Sequence, residues 1–183
     1  MNFDIDLFAS RLNCKVPVYS SWKPDPHASI IDSFSASWTN FKFYAFPPFS
    51  MIMRTIRKIK RDVGTGVLIC PVWPTQAWFP MLMHMLISPP LILPSNVLSL
   101  SFKSNISHKQ GRSLHLMACH LSGNSSLVEN FQGTLLISCA LYGEKNQLAN
   151  MNCIFLKWVH LWIDRDVDPM FLNEVLSVKL VML

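Results

Sequence analysis

Two consecutive prolines decide how the first half of this chain can fold. Residues 41–46 form an apolar, β-prone run that ends at Pro47 and Pro48, neither of which has an amide hydrogen to offer a sheet. Ser50 then stands where an N-cap is expected. Ile52, Ile56, Ile59 and Val63 follow at i, i+4, i+7 and i+11, one apolar stripe of a helix, with Arg54, Arg57, Lys58 and Arg61 on its other faces. Gly64 or Gly66 should end that helix, and residues 67–70 are a short apolar run suited to a strand buried on both sides. Strand, helix, strand in this order predicts a parallel pair, because the helix supplies the crossover such a pair requires. Residues 3–8 alternate apolar and acidic before becoming wholly apolar, and are expected to lie beside the same two strands. The chain is therefore expected to be α/β.

The rest of the pattern is weaker. Residues 16–38 contain Pro17, Pro24, Pro26 and many serines, which predicts loop with a short strand at 18–20. A second helix is expected over residues 75–87, closed by Pro89 and Pro90 and disturbed near its start by Pro80. Residues 95–150 hold Ser/Asn-rich stretches around one weak helix at 115–121 and read as a linker, the start of a poorly ordered C-terminal extension. Residues 151–183 read as a further fragment whose last helix starts at Asp168 and Pro169. The expected division is thus 1–94, 95–150 and 151–183.

Composition narrows the function classes. A chain of 183 residues supports one core and an appendage. Half of it is hydrophobic and 15% is charged, against roughly 25% charged in an ordinary soluble domain, so disorder throughout is excluded and uncovered apolar surface is expected. The net charge of +5, carried by the first two-thirds, permits contact with DNA or RNA. The five cysteines, Cys14, Cys70, Cys119, Cys139 and Cys153, show neither a disulfide framework nor paired ligands, which fits a reducing intracellular compartment, nucleus or cytoplasm. Asp4 and Asp6 occupy the place where a secretory signal needs positive charge, so export is not expected. The most apolar stretch, residues 77–94, is interrupted by Pro80, His84, Pro89 and Pro90, so no membrane span is expected. His115, Cys119 and His120 lack a second ligand pair, so no metal is expected. The six glycines form no phosphate-binding loop.

Three segments could carry chemistry. Asp6 to Ser10 places a carboxylate near a strand end, where open α/β sheets bind ligands, although spacing alone favours a solvated strand-end acid. Residues 45–50 make a stiff turn from a strand into a helix, which could hold aromatics in a cleft or serve as a connector. Residues 71–79, with Trp73, Trp78 and Phe79, could stack on bases or pack inside.

Together these pieces resemble one family. The order of Asp6-Leu7-Phe8-Ala9-Ser10 with Asn13, residues 32–38 from Asp32 to Trp38, Phe46-Pro47-Pro48-Phe49, residues 67–71 and Trp78-Phe79 is similar to the phage-type Dam DNA adenine methyltransferases. It looks still closer to the Dam-like region that follows reverse transcriptase and RNase H in polyproteins of DIRS-type retrotransposons. The resemblance covers residues 4–94, fades by 133, and is faint again from Asp168, where it looks like the lead-in to a tyrosine recombinase. It implies a Rossmann-like, methyltransferase-like three-layer sheet. It further implies S-adenosylmethionine as cofactor, held by Asp6, Ala9, Ser10 and Asp32, and methyl transfer to the exocyclic amine of a flipped adenine. An Asp, Asn or Ser begins the family's active motif, because its oxygen accepts a hydrogen from that poorly nucleophilic amine, and an aromatic at the fourth position stacks on the base.

This sequence departs at that first position, which is Phe46. Phe46, Pro47, Pro48 and Phe49 are therefore expected to stack a base without activating it. The helix and motif that the resemblance places before the first strand would precede Met1, so the domain is read as N-terminally truncated, without the upstream reverse transcriptase and RNase H, and with no cofactor expected unless the fold is intact. Arg54, Arg57, Lys58, Arg61, Trp73 and Trp78 are the expected nucleic-acid contacts. The reading is a retrotransposon polyprotein fragment carrying an inactive methyltransferase-like domain. An active adenine methyltransferase and a DNA-binding adaptor for the recombinase are the alternatives.

Overall fold

The expected crossover forms, and it sets the frame of the molecule. A computed structural model describes residues 2–39, 41–93, 98–99, 114–141 and 180–181. The strand β1 (Ile5–Asp6) pairs in parallel with β4 (Lys42–Ala45), and β4 pairs in parallel with β5 (Thr65–Pro71). Between the last two runs α1 (Ile52–Arg61), entered through a 3-10 turn at Phe49–Met51. Two short parallel strands, β2 (Ser20–Ser21) and β3 (Ile30–Ile31), lie beyond β1, joined to it by a bridge between Asp6 and Tyr19. On the far side β8 (Leu116–Ser122) runs antiparallel to β5 and carries β6 (Leu91–Leu93) on its other edge. The five-stranded order is β1-β4-β5-β8-β6, with β8 alone reversed. A separate parallel pair joins β7 (Leu98–Ser99) to β9 (Leu180–Val181).

One face of the sheet carries Ile5, Leu7, Phe43, Ala45, Leu68, Cys70, Cys119 and Leu121. Onto it pack Ile52, Ile56 and Ile59 of α1, Phe79 and Leu82 of α2 (Phe79–Met83), and Phe131 of α3 (Ser125–Leu141). Tyr44, Val67, Ile69, Leu116 and Ala118 alternate with these residues and point to the opposite face. Among the described residues, helices cover only the first face, so the expected three layers reduce to two here.

Several expectations need correction. Ser50 does not cap α1: it lies inside the 3-10 turn, and the N-cap is Met51, without a side-chain bond. Val63 leaves the apolar stripe, because the helix ends at Asp62 and Val63 turns outward with φ 54. The second helix is five residues long, with Pro80 in its first turn. Residues 115–121, expected as a weak helix, supply β8, which lies between β5 and β6 inside the sheet. The boundary expected at residue 94 therefore falls within the sheet's own span, and residues 114–134 cannot be linker. The helix expected from Asp168 through Leu183 lies outside the described residues except at Leu180–Val181, which form β9 instead.

The end of α1 stores strain that a substitution should release. The Gly64 amide donates to the Ile59 carbonyl at 3.0 Å, closing the turn around Val63. Glycine usually fills that left-handed position, and a β-branched residue there costs roughly 1–2 kcal/mol. The Val63 side chain is about half exposed and contributes little packing. Val63→Gly gives back roughly 0.5–1 kcal/mol through the freer unfolded chain, so a net gain of about 0.5–1 kcal/mol is expected. A rise in the denaturation midpoint at constant slope checks it.

Candidate functional site

The strands leave β1 toward β2 and β3 on one side and toward β4 and β5 on the other, so the order turns at the β1–β4 junction. In open α/β sheets a crevice forms outside the carboxyl ends of the strands at such a point. A cavity of about 350 Å³ lies there, between the segments that follow β1 and β4. Its walls are Leu7, Phe8 and Ala9 after β1, Asp32, Ser33 and Phe34 after β3, Pro48 and Met51 after β4, and Trp22 and Arg54.

The segment at 32–34 is shaped by its own sequence. Asp32 has φ 57, which Asp tolerates better than most residues, and its Oδ1 accepts the Phe34 amide hydrogen at 3.1 Å, capping a 3-10 turn. Trp38 anchors that turn from below: its Nε1 donates to the Ser33 carbonyl at 2.8 Å, and its ring, fully buried, packs on Phe34, Phe8 and Phe43.

The expected cofactor residues divide. Ala9 and Asp32 line the cavity, whereas Asp6 and Ser10 are not among its walls. Ile5 and Leu7 point to the helix-covered face, so Asp6 between them points to the other, beside its register partner Tyr44. Its two carboxylate oxygens accept the amide hydrogens of Phe8 at 3.2 Å and Lys15 at 3.0 Å, pinning both ends of the loop after β1. Ser10 is used within the same loop, donating its hydroxyl to Asn13 Oδ1 at 2.8 Å. Its spacing identified Asp6 as a strand-end acid but could not show which face the acid takes.

The proline turn serves two places. Pro48 borders the cavity, while Pro47 is buried beneath the turn. Phe46 and Phe49 meet edge to face at 6.4 Å, and Phe49 meets Trp73 at 5.2 Å, so an aromatic trio sits past the ends of β4 and β5. Trp73 is partly exposed; Trp78 is buried against Phe79 in the core and cannot stack on a base.

The basic face of α1 is likewise divided. Lys58 is buried, pairs with Asp62 at 2.6 Å and lies over the Trp38 ring, so it is a core cation and not a nucleic-acid contact. Burial alone would raise the Asp62 carboxyl, but hydrogen bonds from Lys58, Arg61 and the Trp38 amide hold it below the ordinary range. Arg61 is exposed and also bonded to Asp62 at 3.0 Å, and Arg57 is exposed. Arg54 lies over the Phe34 ring, its guanidinium carbon 3.9 Å from the ring centroid, at the cavity wall. Trp22 and Phe34 were not expected in the site, and Phe8 entered only as part of the segment from Asp6 to Ser10. They lie in a Ser/Pro-rich loop and at strand ends, and no local spacing links them.

Two buried groups should oppose each other in the pH profile. Burial raises the Asp6 carboxyl to about 6, against the lowering effect of its amide bonds, and burial lowers the His120 imidazole to about 4 with help from Lys42. Between about pH 4 and 6 the native state holds a proton on Asp6 that the unfolded chain has released, so this group makes stability fall as pH rises. Over about pH 4 to 6.5 the unfolded chain protonates His120 while the native state does not, so this group makes stability rise with pH. The natural chain should be nearly flat in this window. His120→Gln should tilt the profile downward with rising pH and Asp6→Asn upward, read from denaturation midpoints; parallel profiles for the two variants would contradict both assignments.

The chain matches no protein-family model, no curated protein and no solved structure. Among the described residues no group of three or more His, Cys, Asp or Glu side chains could hold a metal ion, and no helix is long and apolar enough to cross a membrane.

Proposed function

We propose that this chain is a segment of a retrotransposon polyprotein of the reverse transcriptase, RNase H and tyrosine recombinase type, carrying a methyltransferase-like domain that contacts nucleic acid without transferring methyl groups. Support comes from the strand order β3-β2-β1-β4-β5, which follows the Rossmann sequence up to the reversed β8, and from a cavity at its turning point. The motif resembling the Dam family borders that cavity through Pro48.

Phe46 carries the conclusion. The family's motif needs an oxygen at that position to accept a hydrogen from the adenine amine, and a phenyl ring packed on Phe49 has none. Losing one preorganised polar contact in the transition state costs about 3 kcal/mol, a hundredfold or more in rate. The cavity also suits S-adenosylmethionine poorly. Asp6 faces away from it with both oxygens engaged, and Arg54 sets a cation in the wall of a cavity that a sulfonium cation would have to share.

A DNA methylation assay with labelled S-adenosylmethionine is the test. No transfer is expected from the natural chain. Adenine methylation by the natural chain would overturn the proposal, and its appearance only in Phe46→Asn would tie the loss to this one side chain.

A further inference from the structure

We infer that the cavity at the β1–β4 junction is a site for one anionic nucleotide unit, with the base against Phe8, Phe34 and Trp22 and the phosphate on Arg54. This goes beyond the methyltransferase-like reading and rests on the cavity's own chemistry. The volume of about 350 Å³ is at the lower end for small-molecule sites and accommodates one mononucleotide unit. Three of its walls are aromatic, and Trp22 is two-thirds exposed at the rim with Lys23 Nζ 4.5 Å from its ring centroid. An exposed indole beside a cation is the composition that stacks bases beside a phosphate chain.

Charge decides the class of ligand. Arg54 is exposed, and its guanidinium lies over the Phe34 ring with no carboxylate beside it among the described residues. Its planar fork of donors is thus held at the cavity wall, where it can bond an anion such as phosphate in bidentate fashion. Asp32 is the one acid in the wall, with Oδ1 committed to the Phe34 amide, and it suits a donor such as a ribose hydroxyl or an exocyclic amine. A ligand satisfying both carries donor groups at one end and a phosphate at the other. A neutral nucleoside would leave Arg54 unmatched, and a sulfonium compound would oppose it.

The test is titration of the full chain with adenosine, AMP, S-adenosylmethionine and a short single-stranded oligodeoxyadenylate, followed by tryptophan fluorescence and calorimetry. AMP should bind at least about tenfold more tightly than adenosine, and Arg54→Gln should weaken AMP binding at least about tenfold more than adenosine binding, so that the preference is lost. Arg54 is exposed on α1, so the variant should fold, and its denaturation curve checks this. An oligonucleotide that binds more tightly than AMP with a steep salt dependence identifies a strand as the source; equal affinity identifies the free nucleotide. Equal affinity for adenosine and AMP, a preference that survives in Arg54→Gln, stronger binding of S-adenosylmethionine than of AMP, or no binding at all overturns the inference. The methylation assay reads the earlier proposal separately, since it scores transfer and not occupancy.

Discussion

Trp38→Ala should destabilise the protein by about 3–5 kcal/mol, a large share of the 5–15 kcal/mol that holds a typical domain together. The indole is fully buried, touches Phe8, Phe34 and Phe43, and lies under the Lys58 ammonium. Truncation removes that burial, opens a cavity the rigid sheet cannot close, and leaves the Ser33 carbonyl without its donor. Trp38→Phe keeps most of the ring contact and loses the hydrogen bond, so a loss of about 1–2 kcal/mol is expected from it. Denaturation of the two variants separates packing from bonding. A loss under about 1 kcal/mol for Trp38→Ala would mean that this residue is not the centre of the core. Because the indole holds the turn at 32–34, ligand affinity should weaken in both variants along with stability.

What was legible in the sequence follows from which interactions are local. The β4–α1–β5 unit could be read because its signals, a proline stop, an i, i+4, i+7 stripe and an apolar run, each lie within a few residues of the structure they cause. β8 could not be read that way. Leu116 to Leu121 contains Leu, Met and Ala, which favour helices in isolation, and a strand buried on both faces shows no alternation. Its conformation is set by pairing with β5, some fifty residues earlier, which no short window contains. The basic face of α1 was misread for the opposite reason. Lys58 and Asp62 stand at i and i+4, a local sign of pairing that sets Lys58 apart from Arg54 and Arg57. The proline turn at Pro47 and Pro48 was legible from its own residues, but the cavity walls Trp22, Phe34 and Arg54 are brought together only by the sheet.

Gly66→Ala should be nearly as damaging as the loss of Trp38, at about 3 kcal/mol or more, although it adds a single methyl group. Gly66 is the register partner of Phe43 in the β4–β5 pair. A Cβ on Gly66 would collide with the Phe43 carbonyl oxygen and stand 2.6 Å from two ring carbons of the same residue. The ring could turn, but the carbonyl belongs to the ladder and cannot move without parting the strands. Overpacking of a well-packed interior usually costs about 1–3 kcal/mol, and an obstacle made of backbone places this case at or above the upper end. The double variant Phe43→Leu with Gly66→Ala distinguishes the two obstacles. No rescue relative to Gly66→Ala alone is expected if the carbonyl is the barrier; recovery of most of the lost stability would show that the ring was, and that the parallel pair has more room than its register implies.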